Sequence, residues 1–358
     1  MKHVEYIIVG QGLAGSTLAQ YLIRENRSFM VFGSPVHKKA SEVAAGLFNP
    51  ITGKKMVLTW NAGVLFPLLH VFYKEAEAMF GTSFLYPKTI YRPFADMQSQ
   101  NDFWAKSEQH IAGFAHANAD HRSYEPYVWN EYGGLSTSSS GYVDVKKYVR
   151  AIQELLSTQQ IYKEEAFEYE QLEIKQECVC YKGITAEKII FAEGYYNALN
   201  PYFNWLPVNG MKGDVLTLQI EDYPLKDVVN KNYFIIPLEN GTFRMGSSYI
   251  RSFQDDAPTE NGLKEITEGA SKILKRSFQV IDQQAGIRPV VPDHRPIAGQ
   301  HPEYTRLFIL NGLGTKGVSL APYAAKAVSD LLIHGQEIDE SISVNRFNYL
   351  YFKQKIIL

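Results

Sequence analysis

The stretch Val4-Glu5-Tyr6-Ile7-Ile8-Val9-Gly10-Gln11-Gly12-Leu13-Ala14-Gly15 decides how the fold is read. Val4 to Val9 is a short, largely apolar run suited to a buried parallel strand. Glycines then fall at 10, 12 and 15, and a helix is predicted with Ala14, Leu18 and Leu22 on one face. A second strand is predicted at Phe29 to Phe32. In this strand–turn–helix–strand order the glycines acquire separate meanings. Gly10 permits the tight turn, Gly12 lets a pyrophosphate approach the backbone, and Gly15 lets helix and strand pack closely. The helix N-terminus offers unpaired N–H groups and a positive dipole end to phosphate. The stretch predicts a dinucleotide on a Rossmann-type sheet, touched by Gly10, Gly12, Leu13, Ala14 and Gly15. The acid that ordinarily closes the second strand and holds a ribose hydroxyl would fall at Gly33. Ser34 is the nearest substitute. Lys38 and Lys39 would suit a phosphorylated ribose, as in NADP, but a solvated loop is the favoured reading.

The rest of the composition narrows the class. A chain of 358 residues, 45% hydrophobic and 21% charged, is too long for one compact core and suits two domains. The net charge is −2 with Lys and Arg scattered, so no basic face for nucleic acid is legible. Cys178 and Cys180 are the two cysteines. They suit neither a disulfide framework nor a four-ligand zinc site, and reduced thiols with no metal are expected. The start MKHVEYIIVG carries no signal-like apolar core, and no run approaches ~20 apolar residues, so a cytoplasmic protein without a transmembrane segment is expected.

Further along, Ala40 to Pro50 is rich in small residues, among them Ser41, Ala45 and Gly46, suited to close approach of a ligand. Near the other end come Gly286-Ile287-Arg288-Pro289-Val290-Val291-Pro292-Asp293 and Pro296-Ile297-Ala298-Gly299. An apolar strand at Leu307 to Leu310 is followed by Asn311-Gly312-Leu313-Gly314-Thr315-Lys316-Gly317 at the start of a last helix. That is a second glycine-rich anion site at a helix N-terminus. Pro322 falls early enough in this helix to be tolerated. Together with Gly141-Tyr142-Val143-Asp144, Phe191-Ala192-Glu193-Gly194, Pro207-Val208 and Lys212-Gly213-Asp214, these blocks resemble the FAD-dependent D-amino acid oxidase superfamily. The likeness is to its glycine oxidase and sarcosine oxidase-like branch, and it covers nearly the whole chain in the family's order. The resemblance implies FAD, with Ser34, Ser41, Ala45, Gly46, Ala192, Gly194, Arg288, Gly312, Gly314, Thr315, Lys316 and Gly317 joining the first turn as cofactor-binding residues. It also implies that the last helix points its N-terminus at the flavin's pyrimidine edge. Some relatives tether FAD through a cysteine near this motif; none stands here, so non-covalent FAD is expected.

Between the two sites the chain leaves and re-enters the cofactor domain. A helix is predicted over Pro67 to Phe80, stopped by Gly81, and another after Asp144 with a stripe of Val145, Tyr148, Val149, Ile152 and Leu156. Lys188 to Ala192 reads as a buried strand. Val215–Ile220, Asn232–Pro237 and Thr242–Ser248 alternate as antiparallel strands do. A helix with Leu263, Ile266, Ala270 and Ile273 on one face follows, and Ser136 to Ser140 reads as a loop. The expected architecture is α/β plus α+β. A discontinuous Rossmann-type FAD domain (1–55, 136–200, 286–358) would interleave with an antiparallel-sheet substrate domain (56–135, 201–285).

A flavin enzyme of this kind needs mainly an anchor that sets the donor carbon over the flavin. Arg288 is the candidate catalytic residue. Its guanidinium fork matches a carboxylate, and its position matches the GxRP arginine that grips the substrate carboxylate in the family. The plainer alternative is an arginine bridging the domains. Phe234 stands where D-amino acid oxidases carry a tyrosine that helps hold the carboxylate, which argues against a standard D-amino acid substrate. Lys212, Arg244, Tyr249, Arg251, His294, Arg295 and Lys316 are polar neighbours of the motifs, each read by itself as structural or solvated, and His70 is read the same way. The expected activity is oxidation of the C–N bond of a small, carboxylate-bearing amine. Alternatives are a flavin dehydrogenase of a 2-hydroxy acid, an oxidase of the tRNA-modification type, suggested by Gly46-Leu47-Phe48-Asn49-Pro50, and a flavin-binding protein without turnover.

Overall fold

The computed structural model describes residues 2–53, 56–107, 111 and 113–357. Strand Lys2–Val9 lies between Phe29–Phe32 and Ile184–Phe191, with all three parallel. Tyr162–Lys163 extends the sheet beyond Phe29–Phe32, and Leu307–Asn311 extends it beyond Ile184–Phe191, again in parallel. Because successive strand residues face opposite sides, the apolar runs serve two cores. Tyr6, Ile8, Phe29, Val31 and Ile190 pack under the helices Leu13–Arg24, Ala62–Phe80, Val145–Thr158 and Gly317–His334. Ile7, Val9, Met30, Phe32 and Ile189 meet the other layer, with Tyr181, Phe203 and Trp205.

The helix expected from Pro67 starts five residues earlier, at Ala62, with Pro67 inside it; the other predicted helix boundaries described here have visible causes. Asp144 accepts a hydrogen bond from the Lys147 N–H at 3.0 Å, and Gly81 closes Ala62–Phe80 in the left-handed region. Pro322 is the sixth residue of its helix and leaves the Val318 carbonyl without its usual donor; the Tyr73 hydroxyl donates to that carbonyl at 3.3 Å.

The second sheet has eight strands, ordered Phe278–Val290, Asn209–Ile220, Phe243–Gly246, Tyr233–Pro237, Val228–Lys231, Ile90–Pro93, Gly134–Thr137 and Ala115–Ala117. It is antiparallel except where Val228–Lys231 runs parallel to Ile90–Pro93. Helix Glu260–Ser271 covers one face through Ile266 and Ala270, over Leu216, Leu218, Ile235 and Met245. The opposite face looks toward the first sheet.

Several sequence expectations change here. Ser136 and Thr137 are not loop but the end of the buried strand Gly134–Thr137. Their hydroxyls are satisfied inside the sheet, Ser136 by the Asn118 amide at 2.7 Å and Thr137 by Ser140 at 3.1 Å. The strand expected from Asn232 starts at Tyr233, because Asn232 adopts φ +68° in the hairpin turn. The division expected at 285/286 falls inside the continuous strand Phe278–Val290, and that at 135/136 inside Gly134–Thr137. Positions 1, 54, 55 and 358, at the ends of the expected segments, lie outside the described residues. Cys178 and Cys180 are free thiols. Among the described residues no helix is long and apolar enough to cross a membrane.

Candidate active site

One cleft of about 1240 Å³ runs from the first turn to the second sheet, larger than the ~300–1,000 Å³ of an ordinary small-ligand pocket. The three motif glycines divide the labour at its closed end. A Cβ on Gly10 (φ +109°) would lie 2.3 Å from the Ala192 carbonyl oxygen, and one on Gly15 would lie 1.9 Å from the Gly10 oxygen. Both are packing requirements, and Gly15 does not line the cleft. A Cβ on Gly12 would meet only the Ser41 hydroxyl, at 3.1 Å, and would otherwise project into open space. Ser41 accepts the Leu13 N–H at 3.0 Å, and the first turn of helix Leu13–Arg24 carries no acid. This cradle suits an anion.

Gln11, between the first two glycines, is buried. Its amide donates to the Val149 carbonyl at 2.9 Å and to Ser16 at 3.1 Å, and its oxygen accepts the Lys39 ammonium at 3.0 Å. Lys39 is therefore not a solvated loop residue, as the sequence suggested. It lines the cleft with no carboxylate in ion-pair range among the described residues, and burial lowers its pKa. Lys38 keeps an exposed contact with the Asp256 carbonyl. The place of the ribose-binding acid is filled. A Cβ on Gly33 would fall 2.5 Å from the Tyr162 hydroxyl, which reaches in from the neighbouring strand and is buried without a hydrogen-bond partner among the described residues. Ser34 lines the cleft beside it.

Along the cleft wall, Gly46 (φ +69°) lies against strand Gly141–Val143; a Cβ there would be 1.8 Å from the Val143 oxygen. Ala45, Gly46, Ala192 and Gly194 all line the cleft. The Asn311 amide donates to the Gly194 carbonyl at 3.0 Å, joining the two motif blocks. Gly314, Thr315, Lys316 and Gly317 line the cleft at the start of helix Gly317–His334, whose first turn also carries no acid. Gly312 does not; its open side faces Val291. Among the described residues the Lys316 ammonium bonds only the hydroxyls of Thr52 and Thr59, at 3.2 and 3.3 Å, and burial lowers its pKa.

Glu193, between Ala192 and Gly194, accepts hydrogen bonds from Tyr169 and Asn200, and burial pushes its pKa up to about 7. The folded protein thus holds this proton more tightly than the unfolded chain, whose value is near 4.5. The associated stability is fully present below that pH and is lost as pH rises through about 7. Glu193→Gln is expected to remove a decline on the order of 2 kcal/mol between pH 5 and 8. Thermal unfolding midpoints across that range, compared with the parent, check it.

At the far end, register places Arg288 on the cleft-facing side of the second sheet, opposite Met211 and diagonal to Gly213. A Cβ on Gly213 would lie 2.3 Å from the nearer guanidinium nitrogen, so the glycine makes room for the arginine. The guanidinium stacks 5.1 Å above the Tyr249 ring and makes one long bond, 3.4 Å, to the Ser248 carbonyl. It has no ion-pair partner among the described residues, and burial lowers its pKa. Ser248 is itself fixed from behind. Its hydroxyl donates to the fully buried Asp214 carboxylate at 2.9 Å, which also accepts Thr259 N–H and O–H and the Gln283 amide. Gly213→Ala should displace the guanidinium from this platform. A loss on the order of 10²-fold in kcat/KM, with FAD content kept, is expected from steady-state kinetics on such a variant.

The other polar candidates are structural. Lys212 is buried against Asp255 at 3.1 Å, Arg244 donates to the Ala44 carbonyl at 3.2 Å, Arg295 lies over Trp60, and His70 packs edge-on to Phe48. Gln11, Tyr162 and Arg92 were not singled out from the sequence, and Lys39 was weighed there but read as solvated. Arg92 lines the cleft from strand Ile90–Pro93 and precedes a proline, as Arg288 does. That shared pair is the signal that could have found it.

Fold and cleft together define a dinucleotide-binding α/β protein whose second sheet lines one end of the cleft. The FAD dependent oxidoreductase family matches residues 5–331, and the chain belongs to that family. Its cofactor is FAD, and the two acid-free helix starts with Lys39 and Lys316 suit that anionic dinucleotide. Glycine oxidase of Bacillus subtilis is 24% identical over 368 residues, covering 93% of this chain and 94% of the relative. The tRNA 5-methylaminomethyl-2-thiouridine biosynthesis bifunctional protein of Idiomarina loihiensis is 27% identical over 316 residues, 80% of this chain; the chain spans only about half, 52%, of that relative. The solved glycine oxidase from Bacillus cereus has a TM-score of 0.77 at 21% identity, over 93% of this chain and 96% of that one.

Proposed function

We propose that this protein oxidises the C–N bond of a carboxylate-bearing amine, with Arg288 as the carboxylate anchor and FAD held without a covalent bond. The observation that carries the reading is Arg288 itself. It is a partly buried guanidinium, cleared by Gly213, backed by Tyr249 and Ser248, and without a carboxylate partner among the described residues. Leaving such a charge unpaired in a partly dry cleft is costly, and a substrate carboxylate would satisfy its fork. FAD, when bound, supplies the hydride acceptor. The chain's own residues orient the donor: Arg288 fixes the carboxylate, and Phe234 and Val215 offer an apolar surface on the same sheet face. The relationship to glycine oxidase along nearly the full length of both chains supports an amine as the reacting group.

The Idiomarina relative favours a second reading, in which the same oxidation acts on an amine carried by a tRNA base. Product analysis separates them. Incubation with free carboxylated amines should yield a carbonyl product and the released amine. Turnover confined to tRNA, weakening steeply with salt, would select the second reading.

A further inference from the structure

Arg92 has no part in the function just described. It stands in the same sheet as Arg288, five strands away. Register sets both on one face. Gly246 pairs with Val215 and Phe234, Phe234 pairs with Asn230, and the parallel ladder through Val229 and Tyr91 continues to place Arg92 beside Asn230. Arg92, Asn230, Phe234 and Gly246 therefore form a row across the roof of the cleft, and all four line it.

The surroundings of Arg92 suit an anion. The guanidinium donates to the Gly53 carbonyl and has no ion-pair partner among the described residues. The adjoining residue, Thr52, accepts the Lys316 ammonium, so the Thr52–Gly53 segment carries one cation on each side and no acid. At about 4.8 Å per strand and 3.3 Å per residue, five strand steps and the four-residue offset from Met211 to Val215 set the backbones of Arg92 and Arg288 roughly 27 Å apart in a flat sheet. Both side chains reach inward, yet a molecule the size of glycine cannot meet both.

We propose that Arg92 is a second anion anchor, and that the substrate is an elongated amino acid-type amine bearing an oxyanion at the end remote from the carboxylate. This rests on Arg288 holding that carboxylate. The amine lies over Phe234 and Asn230, one charged end on each arginine. Burying either guanidinium without its oxyanion is unfavourable, so short ligands bind weakly and length becomes the selective feature.

Isothermal titration of the FAD-loaded protein tests this with N-alkylglycines of increasing length. Each is paired with the same molecule ending in a carboxylate or in a phosphate ester. At one spacer length a terminal oxyanion should tighten binding by ~10- to 100-fold over the plain alkyl chain. The arm that gains more identifies the oxyanion. Arg92→Ala should bring the paired affinities to within about twofold, and Arg92→Lys should restore part of the difference. An increment that survives Arg92→Ala, or none at any spacer, overturns the inference while leaving the proposed function standing. Loss of FAD from Arg92→Ala would assign the residue to the cofactor and overturn it too. Failure of every N-alkylglycine to bind, or no effect of Arg288→Ala on any of them, would defeat the proposed function and this inference together.

Discussion

Arg288→Ala is expected to keep both fold and FAD while losing roughly two to four decades of kcat/KM for a carboxylated amine. The side chain supports no other part of the structure strongly: it makes one long bond to the Ser248 carbonyl and a stack on Tyr249, which is itself largely exposed. Its removal therefore leaves no buried acid unpaired. The loss falls on the substrate, whose carboxylate would enter a partly dry cleft without a counter-charge, and whose reacting carbon would lose its fixed orientation. Arg288→Lys should recover only part, since a point charge cannot reproduce the planar fork. Steady-state kinetics with a substrate and its decarboxylated analogue separate the roles. A much smaller loss for the analogue marks an anchor; equal losses mark a structural arginine.

Gly12→Val should abolish FAD retention with the fold preserved. Of the three motif glycines only Gly12 tests the cofactor cleanly. Side chains at Gly10 or Gly15 collide with backbone at 2.3 and 1.9 Å and would dislodge the helix from its strand. Gly12 has an ordinary negative φ of −94°, and its first obstacle is the Ser41 hydroxyl at 3.1 Å, which must give by a few tenths of an ångström. The remaining atoms of valine would project where the pyrophosphate approaches. The visible spectrum after gel filtration reports bound flavin, and circular dichroism reports the fold. Normal flavin content would mean that the turn does not hold the cofactor.

The glycine turn and the cleft-lining arginine were legible because each rests on a short local pattern. The glycine spacing specifies a turn whatever surrounds it, and Arg288-Pro289 marks an extended residue with a fork-shaped side chain. What stayed hidden depends on partners distant in sequence. Lys39 reads as a loop cation until Gln11, between the first two motif glycines, is found turned inward to receive it. Gly33 reads as a missing acid until Tyr162 is seen filling the space. Ser136 and Thr137 read as loop because polarity was taken for exposure, whereas Asn118 and Ser140 satisfy both hydroxyls inside the sheet. Arg92 carries the same Arg-Pro signal as Arg288, but its significance lies in a register that only strand pairing reveals.

Anaerobic mixing of the FAD-loaded protein with a panel of amines tests the central claim most directly. The flavin should bleach in a single turnover with amines that carry a carboxylate, at least a hundredfold faster than with their decarboxylated counterparts, and Arg288→Ala should erase that preference. Bleaching by 2-hydroxy acids but not by amines, or equal rates with and without the carboxylate, would contradict it.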